Sequence, residues 1–473
     1  MSGTRRVVIS GMGWVTPLGC ELESVWQRLL GGESGVGRIT RFHAGTFSTN
    51  FAAEVRDFDF KRTLANWASL GASAPDGAAA ATHPHAGYNS QFALGAAAQA
   101  WTQSGLASHR GLDRKRFGIY LGAGEGVLDF DNYVATNLAS YEPATRTCNA
   151  ERWAEVGRER FSASLEAEQA PNMPLSHLAG AFGCRGPALN CLTACAASTQ
   201  AIGEAWHIIK RGDADVMFAG GTHTMIHPLG VTGFIRLTAL SSRRDEIDSA
   251  ARPFDVTRDG FVMGEGAGML ILESLEHWQA RTSEARRTGL AGVPEAPLAE
   301  IAGYGSSADA FRITDIHPEG KGAQAAMNQA LRQAGVEPRA LGPDGSPLVQ
   351  YVSAHGTGTK ENDKIETVAV KGVFGPLAPK IPVSSVKSMF GHLIAAAGAV
   401  ELITCVMAIR TGWLPPTINL RHPDAECDLD YIPNQARSLR DPRTGASRVR
   451  LCLSNSFGFG GQNDTLAVRA FES

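Results

Sequence analysis

In the run Leu192-Thr193-Ala194-Cys195-Ala196-Ala197-Ser198 a lone thiol sits among small residues. Upstream, 187–191 alternates small and apolar residues as a strand does. Downstream, Ile202, Ala205, Trp206, Ile208 and Ile209 recur at helical spacing as far as Arg211-Gly212. The thiol is therefore expected at a helix start, near the positive end of a macrodipole worth roughly half a charge, which favours the thiolate. A free cysteine titrates near ~8.5, so such help would make Cys195 a usable nucleophile for an acyl group. A packed, inert cysteine is the plain alternative.

Further motifs weigh against that alternative. Ala354-His355-Gly356-Thr357-Gly358-Thr359 follows an apolar strand, and Ser384-Ser385-Val386-Lys387-Ser388-Met389-Phe390-Gly391-His392 precedes the small residues 395–398. Asn455-Ser456-Phe457-Gly458-Phe459-Gly460-Gly461-Gln462-Asn463 is a glycine-rich loop, and Asp259-Gly260-Phe261 with Gly264-Glu265-Gly266-Ala267-Gly268 closes the first half. These glycine runs lack both the Lys-Ser/Thr of a phosphate loop and the dinucleotide spacing. His83 and His85 have no third ligand nearby in sequence and read as surface residues. No cofactor or metal is implied.

The elements that must position these groups alternate strand and helix. Strands are expected at 6–10, 117–121, 215–219, 269–273, 348–353, 381–385, 448–454 and 465–469, and helices at 91–104, 196–211, 322–334, 362–374 and 394–410. The stretch from 320 onward repeats the pattern of 116–273, so two similar α/β halves, 1–275 and 276–473, are expected to meet face to face. The charged, Gly- and Pro-bearing segment 276–300 reads as a linker. Insertions are expected at 66–87 and at the charged stretch 141–170, the latter with a solvent-facing helix over 150–169.

With 473 residues, 43% hydrophobic and 19% charged, the chain can bury a large core. A net charge of −3 without a basic run argues against general nucleic-acid or membrane binding. Eight irregularly spaced cysteines suit reduced thiols rather than a disulfide framework. Glycine at Gly11 interrupts the N-terminal segment before a signal-like apolar core forms, and no apolar run of about 18 residues is evident, so a cytoplasmic protein is expected.

Taken together and in this order, the motifs resemble the β-ketoacyl-acyl-carrier-protein synthases, the condensing enzymes of fatty acid and polyketide synthesis, and among them the elongating type. The resemblance runs from about Arg5 to Arg469. It implies the thiolase-like five-layered αβαβα fold, a homodimer, and acyl carrier protein as partner. It also implies a decarboxylating Claisen condensation, with Cys195 taking the acyl chain and His355 and His392 stabilising the enolate. Lys387 would set charge balance and histidine orientation, and the backbone N–H groups of Cys195 and Phe459 would form an oxyanion hole. Phe459 is implied as an acyl gate, Phe457 as a border of the malonyl side, and Thr314, Thr357 and Thr359 as pantetheine contacts. Asp363 and Glu366 are implied as structural neighbours.

Two departures stand out. The stretch before 91 lacks the basic residues that would meet an acidic carrier, which leaves Lys61, Arg62, Arg236, Arg243 and Arg244. Glu125 stands where relatives place an apolar or small residue near the acyl pocket, so a one-residue slip in the correspondence, an arginine partner from the insertion, or a pocket shortened or shaped for a polar chain is expected. A chain-length-setting partner subunit is the alternative function, against which the intact Cys195, His355, Lys387 and His392 argue. A thiolase would need a late second cysteine, and the initiating synthases use Cys-His-Asn.

Overall fold

The computed structural model describes residues 5–65, 85–109, 111–126, 128–289, 294–313 and 315–472. Strands β1 Val7–Val15, β2 Phe117–Ala123, β3 Ala188–Cys191, β4 Val216–His223 and β5 Gly266–Ser274 come from the first half. Strands β6 Ala299–Ala308, β7 Tyr351–Ser353, β8 Val383–Ser384, β9 Leu451–Gly458 and β10 Gln462–Arg469 come from the second. They form one ten-stranded sheet in the order β8-β7-β9-β10-β6-β1-β5-β4-β2-β3. β1 and β6 join the halves through an antiparallel ladder pairing Val7 with Ile301 and Ile9 with Ala299.

Outward from that join the pairing is the same both ways. β5 is antiparallel to β1 and to β4, and β2 and β3 then continue parallel. β10 is likewise antiparallel to β6 and to β9, and β7 and β8 continue parallel. The helices Ala197–Arg211 and Ala397–Thr411 pack on each other and on strands of both halves, while Tyr88–Ser104 covers β1 and β5 and Lys321–Gln333 covers β6 and β10. The layering is the expected αβαβα of the thiolase-like fold.

The outer helices approach so closely because β1 and β6 offer glycine at matching places. A Cβ on Gly11 or Gly13 would lie 2.0 or 2.3 Å from the carbonyl oxygen of Ala100 or Ala96, and one on Gly303 or Gly305 would lie 2.1 or 2.0 Å from that of Ala330 or Ala326. The same helices send glutamines to the strands: Met12 N–H donates to Gln103 Oε1 (2.9 Å) and Tyr304 N–H to Gln333 Oε1 (3.2 Å). Gly303→Ala should therefore push a backbone carbonyl and destabilise the protein by about 1–3 kcal/mol, read as a lower urea midpoint.

Most expected elements are present with shifted ends, and the expected linker is a correction. Within 276–300 the chain forms the helix Leu275–Arg287 and begins β6. Ser274 caps this helix by accepting from His277 N–H, and Trp278, Arg281 and Thr282 are buried. Arg281 donates to Glu273 Oε1 at 2.6 Å, so a charge that reads as solvated is in a buried ion pair. In the 141–170 insertion the expected helix is two, Ala150–Arg160 and Ala163–Glu168, separated at 161–162. The 66–87 insertion, with His83, falls almost wholly outside the described residues. The stretch 394–411 corrects the expectation of no spanning-length apolar run: its mean hydropathy is 1.6, and 89% of it is buried in the protein's own core.

Candidate active site

β3 ends at Cys191, and the chain turns a strained corner before the helix Ala197–Arg211. Ala194 takes φ +46°, a left-handed conformation costly for a residue with a Cβ. Cys195 follows it, 6% exposed. The second half repeats this corner: Ile394 takes φ +48°, and the helix Ala397–Thr411 follows. Ala395 thus stands where the first half has its thiol. The second corner also orients a histidine, because Ile394 N–H donates to His392 Nδ1 at 3.2 Å. With Nδ1 accepting, the neutral ring carries its hydrogen on Nε2, which lies 3.0 Å from Cys195 Sγ.

His355 is set in the same way. Lys387 Nζ lies 3.4 Å from His355 Nδ1, so the ammonium donates there and leaves the hydrogen on Nε2. Glu366 fixes the loop by accepting from the N–H groups of His355 and Gly356, both at 2.8 Å. Asp363 accepts from Phe254 N–H at 2.8 Å and Gly358 N–H at 3.1 Å. Gly356 (φ +37°) and Gly358 (φ +82°) give that loop its left-handed turns. The imidazoles of His355 and His392 stand edge to face with centroids 5.4 Å apart, and Phe261 and Phe457 pack against them at 5.2 and 5.9 Å. One donor atom from each of Cys195, His355 and His392 lies within 4.8 Å of the others. The Lys387 ammonium behind them repels a cation, so the arrangement suits an oxyanion better than a metal.

Burial holds both histidines well below the usual imidazole range, helped by the Lys387 charge, so each is a neutral donor. Burial also pushes the Cys195 thiol up to about 11, against the Lys387 charge and the N–H of Phe459, which lower it. The expected thiolate at the helix start is thus corrected: removal from water outweighs the donors at rest. Those donors instead act as charge develops on the sulfur.

One site residue escaped the sequence. Lys387 Nζ forms a buried ion pair with Glu401 Oε1, the two side chains being 3% and 2% exposed. Burial pushes the Glu401 carboxyl up to about 7 despite Lys387. The available signal was a single carboxylate in the otherwise apolar stretch 394–409, which demands a partner. Glu401→Ala strands a buried ammonium and should cost about 3–5 kcal/mol in urea unfolding, and Lys387→Met in the same chain should recover much of it.

A cavity of about 600 Å³ reaches Cys195, His355 and His392 past Thr357, Thr359, Phe457 and Phe459. Phe459 is 37% exposed at its lip and Phe457 is buried. Thr357 and Thr359 bond each other at 3.0 Å, and Thr359 caps the helix Lys360–Phe374. Thr314 lies outside the described residues. Glu125 is an exposed residue that does not line this cavity, and among the described residues no arginine pairs with it. Its loop is held elsewhere, since a Cβ on Gly126 would meet Glu168 O at 2.2 Å. Of the basic candidates, Arg243 is engaged by Asp259 at 3.3 Å and Arg244 by Gly45 O at 2.9 Å.

A duplicated αβαβα fold with a corner cysteine and two neutral imidazoles around one point defines a condensing enzyme of the thiolase-like class. Residues 4–277 match the family described as "Beta-ketoacyl synthase, N-terminal domain" and 298–421 match "Beta-ketoacyl synthase, C-terminal domain". Proteins named 3-oxoacyl-[acyl-carrier-protein] synthase 2 are similar throughout: that of Coxiella burnetii is 39% identical over 99% of each chain, and that of Synechocystis 38% over 99% of each. Among solved structures, "The ishigamide ketosynthase/chain length factor" superposes with TM-score 0.78 at 31% identity, over 99% of this chain and 100% of that one. A type II PKS acyl-carrier protein in complex with its ketosynthase gives 0.77 at 31%, with the same coverage. The chain belongs to the beta-ketoacyl synthase family, and is thereby an acyl-transferring condensing enzyme.

Proposed function

We propose that this chain elongates a fatty acyl or polyketide chain by condensing an acyl-Cys195 thioester with malonyl-acyl carrier protein. The observation that carries this reading is the pair of Nε2–H groups, on His355 and His392, converging beside Cys195 Sγ. Cys195 attacks the acyl thioester, the backbone N–H groups of Cys195 and Phe459 receive the oxyanion, and the carrier thiol leaves with the thiol proton. The malonyl carboxylate then departs as CO2, and its electron pair becomes an enolate held by the two imidazoles. The enolate carbon attacks the acyl-Cys195 carbonyl and expels the thiolate, which leaves a ketoacyl chain on the carrier. Lys387 keeps both rings neutral and orients His355, while Ile394 N–H orients His392, and Thr357, Thr359 and Thr314 receive the pantetheine arm.

The partner in this reading is a phosphopantetheine-bearing acyl carrier protein, and the setting is the cytosol, where thiols stay reduced. A homodimer is supported by β3, which among the described residues is an edge strand paired only with β2, carrying Leu189 at 46% exposure and followed by Leu192 at 51%. A division at 275/276 is supported by the strand order repeating on either side. The test is incubation of the purified protein with acyl- and malonyl-carrier thioesters. CO2 release matched by a lengthened ketoacyl carrier is expected; CO2 with no lengthened product would refute the elongating role.

A further inference from the structure

The parallel strands β2, β3 and β4 end on the same side of the first half, which is where ligands bind in such sheets. Cys195 follows β3, Glu125 follows β2, and His223 is the last residue of β4. A Cβ on Gly124 would meet His223 Cε1 at 2.6 Å and Leu192 Cδ1 at 3.7 Å, so Gly124, His223 and Leu192 crowd one place, three residues before the nucleophile. His223 is 2% exposed, and among the described residues neither ring nitrogen has a hydrogen-bond partner. A buried polar group left so is costly, and an imidazole loses on both its donor and its acceptor side. Burial holds this ring down at about 4, so it is neutral. His227 is near enough for its charge to act on His223, Glu125 acts likewise on His227, and His223 on His392.

Resting on the ketosynthase reading above, we propose that His223, backed by His227, is a specificity residue for the acyl chain on Cys195. It selects a chain bearing a neutral hydroxyl or carbonyl group over a purely alkyl chain. A hydroxyl answers the ring with one donor and one acceptor, whereas an alkyl chain leaves both nitrogens unpaired. A carboxylate there would itself be buried beside only a neutral ring, which excludes charged chains. Sites built to bond a substrate hydroxyl reject the analogue that lacks it far more strongly than apolar pockets sort methylenes.

The test is intact-mass measurement of Cys195 acylation by saturated octanoyl-carrier and by octanoyl-carriers hydroxylated at successive positions along the chain. Wild type should favour at least one hydroxylated chain by about tenfold or more. His223→Leu should bring that ratio to about one, and His223→Gln should retain part of it. Thermal unfolding of each variant shows whether it is folded; if His223→Leu is not, the wild-type ratio and His223→Gln decide. Adducts from every chain with no hydroxyl preference in wild type, or a preference that His223→Leu leaves unchanged, overturn the subsite alone. No Cys195 adduct from any chain overturns the ketosynthase reading, and the subsite with it.

Discussion

Cys195→Ala should remove every acyl adduct and reduce condensation to below detection, while the protein still folds and still releases CO2 from malonyl-carrier. The fold survives because Ala395 already occupies the matching corner of the second half, where the preceding residue takes nearly the same left-handed φ. Decarboxylation survives because the groups that hold the enolate, His355, His392 and Lys387, are all still present. Intact mass reads the adduct and trapped CO2 reads the second activity. An adduct that persists on the variant would place the nucleophile elsewhere. The wild-type thiol carries a pH signature as well. With its pKa pushed up to about 11 by burial, the thiolate fraction, and with it alkylation by iodoacetamide, should rise about tenfold per pH unit above neutrality. A thiol ionised at rest would instead give a flat profile.

The site was legible to the extent that its chemistry is spelled in short runs. Cys195, His355, Lys387 and His392 each sit in a local signature, and the structure brings all four together. Glu401 was not, because a glutamate in a helix carries no spacing signal and its partner Lys387 is fixed only by packing between elements. His223 ends a strand and lacks even that hint. The ionisation of Cys195 could not be read either: a helix start is visible in sequence, but the burial that outweighs it depends on the second half closing over the corner.

The fold was legible where a long apolar run or a regular apolar spacing marks an element. The central helix Ala397–Thr411, apolar on every face, and the strands flanking the motifs fall close to expectation. β6 was missed because Ala299-Glu300-Ile301-Ala302-Gly303-Tyr304-Gly305 is rich in small residues and lacks a strand-like alternation, and its first two residues fall within the expected linker 276–300. Its glycines instead admit a helix against the backbone, a tertiary demand that overrides strand propensity. The neighbouring helix was hidden by charge, since Arg281 belongs to a buried pair with Glu273.

The second large effect separates the two histidines. His355→Ala and His392→Ala should each lower malonyl decarboxylation by about 10²–10³-fold, the loss of ~3–4 kcal/mol typical of one preorganised oxyanion donor. They should differ in the first half-reaction. His392 Nε2 lies 3.0 Å from Cys195 Sγ, so His392→Ala should also slow acylation, whereas His355, though within 4.8 Å of the sulfur, takes its hydrogen bond from Lys387 rather than from Cys195. Single-turnover acylation followed by mass, beside steady-state CO2 release, gives both numbers for each variant. Equal losses in both half-reactions for both variants would refute the division of roles. Burial and Lys387 hold the two rings far below the usual imidazole range, so wild-type decarboxylation should stay level as pH falls from neutral to about 5.5. An inflection near the ordinary imidazole value of ~6.5 would mean that a ring becomes charged, and that the enolate is held by an imidazolium rather than by two neutral donors.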